Sequence, residues 1–264
     1  MKKVTEIIEQ IEKNKADLEF LPTGFYGLDQ FLDGGFMRKE LVILGAGTGI
    51  GKSYIASQMM YNIAKKGFKT AYFSLELANE TIVARLLGAI SNIKPTRIMA
   101  GLLTKEEFDE KTKAKANLQL YEEYMNFYDD VYELSEIIKL IKENKYEAVC
   151  IDFIQNVFSA GADENLRLAK AALELQRTAK EVNCCILLLS QLSNQIAREG
   201  FRAPVIEYRG SGAIAHVADL GFIVERTDPE GSTNEIKLNL KKNRRGVSGV
   251  YFNLLFKHPG GWIV

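Results

Sequence analysis

One stretch constrains this chain more than any other: Leu41 to Ser53, LVILGAGTGIGKS. It opens with four apolar residues, Leu41-Val42-Ile43-Leu44, the length and composition of a buried parallel strand. Gly45, Gly47, Gly49 and Gly51 follow, and the run closes on Lys52-Ser53. Tyr54 to Lys65 then carries Ile55, Met59, Met60 and Ile63 on one side of a helix. Strand, glycine-rich turn, Lys-Ser and helix, in that order, form a phosphate-binding loop in the context it requires. Glycines let successive backbone N–H groups turn inward around an anion. The following helix adds its positive N-terminal end. Ala46, Gly47, Thr48, Gly49, Ile50 and Gly51 are therefore expected to cradle nucleotide phosphates. Lys52 is expected to reach the β- and γ-phosphates, and the Ser53 hydroxyl to ligate Mg²⁺. The strict pattern has glycine five places before Gly51; this chain has Ala46, which the relaxed pattern accepts.

The 264 residues suffice for one large α/β domain and not for two full-sized ones. Lys+Arg and Asp+Glu both number 34, so any nucleic-acid contact must come from a local patch or an assembled channel. Cys150, Cys184 and Cys185 fit no zinc spacing and sit in or beside apolar runs, which reads as core thiols in a reducing cytosol. No run of about 18 apolar residues exists, so no membrane span is expected. The polar N-terminus lacks the apolar region of a signal peptide.

Val4, Ile7, Ile8 and Ile11 have helical spacing and predict a helix over Val4 to Lys15. Residues 1–22 are set apart as a linker helix from a domain over 23–264. The apolar stripe either folds back on its own domain or docks on a neighbouring subunit. A short helix is expected between the glycine turns after Thr23, and a second strand over Thr70 to Leu75, followed by Glu76. The helix Asn79 to Ser91 carries Arg85, Pro95 interrupts, and Leu103 to Lys115 reads as an exposed helix. Asn126 to Tyr128 is a candidate short strand, and Leu134 to Asn144 a helix.

Ala148 to Ile154 is the next buried strand, with Asp152 its single charge. A carboxylate there is costly unless a cation faces it, and hydrated Mg²⁺ is the natural partner; the alternative is a cap on the next turn. A helix over Leu166 to Glu181 leads to a strand over Cys185 to Leu189 that ends in Ser190-Gln191. Ligands bind at such strand ends in open α/β sheets. Gln191 either senses a γ-phosphate or satisfies backbone groups. Ser193 to Gly212 is polar, with Arg198, Arg202, Arg209 and closely spaced glycines, and suits either backbone phosphates or solvent. Strands are expected over Leu220–Val224, Glu235–Leu240 and Val250–Phe256. Lys241 to Gly249 between the last two is either a solvated face or presents an arginine to a nucleotide held by another subunit.

Taken in order, these segments resemble the C-terminal ATPase domain of replicative helicases of the DnaB family. The resemblance rests on Thr23-Gly24 through Leu28-Asp29, the phosphate loop, Phe73-Ser74-Leu75-Glu76, Ile151-Asp152-Phe153-Ile154-Gln155 and Leu189-Ser190-Gln191-Leu192. It continues through Arg209-Gly210-Ser211-Gly212 with Ala218-Asp219, and Lys242-Asn243-Arg244-Arg245-Gly246. It implies an α/β, RecA-like core: a mostly parallel central sheet flanked by helices, with C-terminal antiparallel strands. It also implies roles. Lys52 and Ser53 hold phosphates and Mg²⁺, Glu76 is the base that orients the attacking water, and Asp152 supports Mg²⁺. Gln191 couples the γ-phosphate to the DNA loop, and Arg85 contacts nucleotide. Arg209, Gly210, Ser211 and Gly212 contact single-stranded DNA. Lys242 and Arg244 reach a neighbour's nucleotide. ATP and Mg²⁺ are the implied cofactors. Single-stranded DNA, further copies in a hexameric ring, and a primase or loader are the implied partners. Two departures stand out: the family's N-terminal collar domain is missing from this sequence, and Gly210 stands where the family often has Glu. A RecA-, RadA- or KaiC-like recombination or regulatory ATPase is the second reading, and an inactive assembly module the third.

Overall fold

The computed structural model describes residues 3–13, 19–159, 163–192, 212–228 and 233–264. In chain order, α1 (Val4–Lys13), β1 (Phe20–Leu21), α2 (Tyr26–Phe31) and β2 (Phe36–Met37) lead into β3 (Leu41–Ala46) and α3 (Lys52–Ala64). Next come β4 (Thr70–Ser74), α4 (Asn79–Ser91), α5 (Pro95–Ala100), α6 (Lys105–Gln119), β5 (Met125–Tyr128), α7 (Leu134–Asn144) and β6 (Ala148–Asp152). The remainder is α8 (Glu164–Val182), β7 (Cys185–Gln191), α9 (Gly212–Val217), β8 (Leu220–Arg226), β9 (Glu235–Asn243), β10 (Val250–Lys257) and β11 (Trp262–Ile263).

The main sheet has nine strands in the order β11-β10-β9-β8-β3-β7-β6-β4-β5. From β8 to β5 every pairing is parallel. From β8 to β11 every pairing is antiparallel. The expected mostly parallel sheet with C-terminal antiparallel strands is what forms. All of β3, β4 and β6 is buried, because parallel strands are covered on both faces. That is why these strands read as continuous apolar runs. Their residues alternate between two cores. Leu41, Ile43, Phe73, Ile151 and Leu188 pack with Ile137 and Ile141 of α7 and with Leu168 and Leu175 of α8. Val42, Leu44, Tyr72, Cys150 and Leu189 pack with Ile55, Met59 and Ile63 of α3. The three cysteines are free and buried, as expected of core thiols, and burial pushes the Cys184 thiol up to about 12.

Several boundaries differ from the sequence expectations. Pro95 opens α5 instead of breaking the chain, since proline's missing N–H costs nothing in a first turn. The short α5 leads to Thr104, whose hydroxyl and Glu107 form a reciprocal capping box that starts α6. The cationic hairpin is shorter than its sequence suggests: β9 runs to Asn243, so Lys241 and Lys242 are strand residues. Of the α1 stripe, Val4, Ile7 and Ile8 stand exposed.

Arg245 anchors that hairpin. Its Nε donates to Glu40 Oε1 at 2.6 Å, and its Nη2 pairs with Glu40 Oε2. Its Nη1 donates to the carbonyls of Leu32 at 3.1 Å and Gly35 at 2.9 Å. Glu40 in turn accepts the Met37 N–H at 3.0 Å. Both charged side chains are mostly buried, so losing one leaves the other uncompensated. Arg245→Ala is expected to lose about 3 kcal/mol in urea unfolding. Arg245→Lys should fail to restore it, since an ammonium cannot serve a bidentate carboxylate and two carbonyls in one plane.

Candidate nucleotide-binding site

Because β3, β4, β6 and β7 run parallel, their carboxyl ends emerge at one edge of the sheet. The register sets Ala46 opposite Gln191 and Ser74 opposite Asp152. The chain leaves β3 through residues 47–51 and enters α3 at Lys52, so Lys52 and Ser53 form the helix's first turn. Gly51 caps that helix at φ 108°, and a Cβ there would come within 2.5 Å of the Phe256 ring on β10. Only glycine meets both demands.

A cavity of about 260 Å³ lies over this edge, lined by the phosphate-loop residues, Glu76, Arg85 and Gln191. Ala46 ends β3 fully buried, and its carbonyl accepts the Leu192 N–H at 3.0 Å. Ile50 packs against an apolar core cluster and lines a second, adjoining cavity. The Gln191 amide donates to Thr48 Oγ1 at 2.7 Å, tying the phosphate loop to the end of β7. Gln155 holds the same strand end, donating to Ser190 Oγ at 3.1 Å and to the Gln191 carbonyl at 3.3 Å. Glu76 is exposed just beyond β4. Its strand end is fixed by Leu75 N–H to the Asp152 carbonyl at 2.7 Å and by Asn156 to the Leu75 carbonyl at 2.9 Å. The Arg85 guanidinium lies 4.6 Å over the Tyr54 ring.

Burial lowers the affinity of Lys52 for its proton, while the charges of Asp152 and Glu76 pull it back up. Its ammonium rests 4.9 Å from the Phe153 ring centroid. Asp152 is fully buried, and its Oδ2 accepts the Tyr72 hydroxyl at 2.8 Å. Its Oδ1 is buried and has no hydrogen-bond partner. Burial first, and the Asp152 charge second, push the Tyr72 phenol well above its ordinary value. An orphaned carboxylate oxygen on the edge that carries the Ser53 hydroxyl suits hydrated Mg²⁺, which takes one or two carboxylates and keeps its waters.

A second cavity of about 190 Å³ adjoins the first through Gly49, Gly51 and Tyr54, and is walled by Arg226, Phe256, His258 and Pro259. Sequence reasoning missed it. Its near side is the phosphate loop and Tyr54; the other walls lie far along the chain.

Lys242 and Arg244 are not among the residues that line either cavity. Arg244 is paired within its own chain: Nη1 meets Asp219 Oδ1 at 2.8 Å, and Nη2 donates to the His216 carbonyl at 2.8 Å. Lys242 Nζ donates to the same carbonyl at 2.9 Å. Asp219 Oδ2 accepts the Leu41 N–H at 2.9 Å, so this cluster abuts the start of β3. Arg209, Gly210 and Ser211 lie outside the described residues, and Gly212 is the first residue of α9.

The family model for the DnaB-like helicase C-terminal domain matches residues 21–259. The chain belongs to this family. Its relatives include the replicative DNA helicase DnaC of Bacillus subtilis, 30% identical over 92% of this chain and 56% of that protein. The replicative DNA helicase DnaB of Geobacillus stearothermophilus is 28% identical over 92% of this chain and 56% of its own length. The chain thus spans a little over half the length of these curated relatives. Among solved structures, an ATPase domain superposes with a TM-score of 0.86 at 22% identity, covering 99% of this chain and 96% of its own. A DnaB-like replicative helicase, solved in a study of its interactions with primase, gives 0.85 at 21% identity over 100% of this chain and 67% of its own. At that identity the likeness is one of fold.

Gly51→Ala is expected to cost about 2 kcal/mol of stability, from the positive φ and the Phe256 contact together. It should also weaken fluorescent-ADP binding at least tenfold, because the loop's N–H groups lose their aim. Unchanged binding by equilibrium titration counts against the geometry given for the phosphate cradle.

Proposed function

We propose that this chain is the ATP-driven motor of a ring-forming replicative DNA helicase, hydrolysing ATP at subunit interfaces and translocating on single-stranded DNA. One observation carries the reading: the phosphate loop, Lys52, Glu76, Arg85 and Gln191 line one cavity at the carboxyl edge of the sheet. Family membership supports it, since the relatives are replicative helicases. The phosphates lie against the loop N–H groups and the start of α3, with Lys52 neutralising charge. The adenine occupies the adjoining cavity beside Tyr54 and Phe256. Glu76 orients the attacking water and accepts its proton. Mg²⁺, held by Ser53 and through water by Asp152, would neutralise charge on the phosphates when bound. Gln191, already tied to Thr48, relays occupancy of the loop to residues 193–211, which include the proposed DNA contacts Arg209, Gly210 and Ser211.

Arg244 and Lys242 act on a neighbouring copy's nucleotide. For Arg244 this requires release from Asp219; its guanidinium is nearly half exposed, and the mostly buried Asp219 carboxylate keeps its bond to the Leu41 N–H. The N-terminal linker helix docks on the next subunit through its exposed Val4, Ile7 and Ile8. Primase or a loader would meet the assembled ring. Among the described residues no helix is long and apolar enough to cross a membrane.

The test is the ATPase rate per subunit against protein concentration, with and without single-stranded DNA. Oligomer size is followed by gel filtration, with and without residues 1–18. A rate that rises with concentration and again with DNA is expected, with smaller species after the deletion. A flat rate indifferent to DNA overturns the motor reading in favour of a regulatory ATPase. Glu76→Gln should bind ATP normally and turn it over about 100-fold more slowly. Arg244→Ala should also bind normally and lose about 1000-fold in turnover; wild-type turnover in that variant removes the trans role.

A further inference from the structure

Tyr72 sits inside β4, 2% exposed, in register with Cys150 of β6. Its neighbours Ala71 and Phe73 are apolar, and its ring packs at 6.2 Å from that of Phe127. Packing at such a position asks only for a ring. A phenol hydroxyl taken into this core costs desolvation unless it finds a partner. The partner it finds is Asp152 Oδ2, at 2.8 Å. The other oxygen of the same carboxylate is buried and unpartnered. The two oxygens are therefore not equivalent: one is tied to the core by the phenol, and the other is buried without a hydrogen-bond partner.

We propose that Tyr72 is a positioning residue of the ATPase site, whose hydroxyl fixes the Asp152 carboxylate so that Oδ1 stays available to the hydration shell of the bound Mg²⁺. The inference rests on the reading of this site as one for Mg²⁺-nucleotide. It gives a physical reason for a hydroxyl where phenylalanine would fill the same volume. Strand pairing delivers the contact: β4 and β6 are adjacent and parallel, so a residue two places before the end of one reaches the end of the other on the same face. Partners of metal-supporting carboxylates of this kind typically change metal affinity by about 10- to 100-fold when removed.

The test compares the full chain with its Tyr72→Phe variant, titrating fluorescent ADP in EDTA and across a series of Mg²⁺ concentrations. In the wild type, ADP affinity should rise with Mg²⁺. In Tyr72→Phe the affinity in EDTA should be unchanged, while the Mg²⁺ concentration giving half the effect rises about tenfold. Asp152→Asn alone should reduce the Mg²⁺ effect, and adding Tyr72→Phe to it should change nothing more. Equal weakening with and without Mg²⁺, or a purely additive double variant, makes Tyr72 a packing residue and overturns the proposal. So does a Tyr72→Phe titration that overlays the wild type. A wild type whose ADP affinity ignores Mg²⁺ is a different result: it removes the Mg²⁺ reading of the site itself, and this inference with it.

Discussion

The parallel ladder between β3 and β7 is the constraint on which the site depends. Its pairing runs unbroken from Leu41 and Ile186 to Ala46 and Gln191. That register brings the start of the phosphate loop beside the residue that reaches back to Thr48. It also keeps Val42 and Leu44 facing α3, and Leu41 and Ile43 facing α8. Slipping the ladder by one residue would exchange the two faces and part Gln191 from the loop. The cost of burying polar groups reinforces it: the Leu192 N–H and the Ala46 carbonyl satisfy each other where the two strands end.

Around this ladder the charged residues divide by burial. Glu40 and Arg245 are nearly enclosed and fully partnered, and they hold the β9–β10 hairpin against the entrance to β3. Arg244, one residue earlier, pairs with the mostly buried Asp219 through a guanidinium that is nearly half exposed. Breaking the first leaves one of two buried charges uncompensated, whereas in the second the arginine is reached by solvent and only the carboxylate is mostly buried. The same hairpin thus supplies a buried anchor and a half-exposed arginine. On the Asp152 side, the core reaches the end of β6 through Tyr72, so the packing of β4 and β6 also determines which carboxylate oxygen is left without a partner.

Much of this was legible in the sequence where a single segment carried its own pattern. Helix α4 begins and ends where its apolar spacing places it, and α7 does too. Lys52, Glu76, Arg85 and Gln191 do meet in one cavity, as the order of motifs implied. The less legible parts depended on distant residues. Lys241 and Lys242 looked like turn because charge suggests solvent, yet pairing with β8 carries β9 through to Asn243. Arg245 looked like one more exposed cation until Glu40, remote in sequence, supplied its partner. Pro95 looked like a stop because proline breaks helix interiors, and it stands instead at a helix start.

By itself the sequence determined the local chemistry. A buried strand, glycines that let N–H groups converge, a lysine, a hydroxyl and a helix occur consecutively, and no tertiary contact is needed to order them. It also determined that the strands would be parallel and covered, since apolar runs separated by helices bury their surface in no other way. Only the tertiary structure decided which carboxylate oxygen is left without a partner, which of two adjacent arginines is buried, and that a second cavity opens beside the loop. Each of these depends on distances between residues far apart in the chain, and those follow from sheet order and register, which depend on the packing of the whole core.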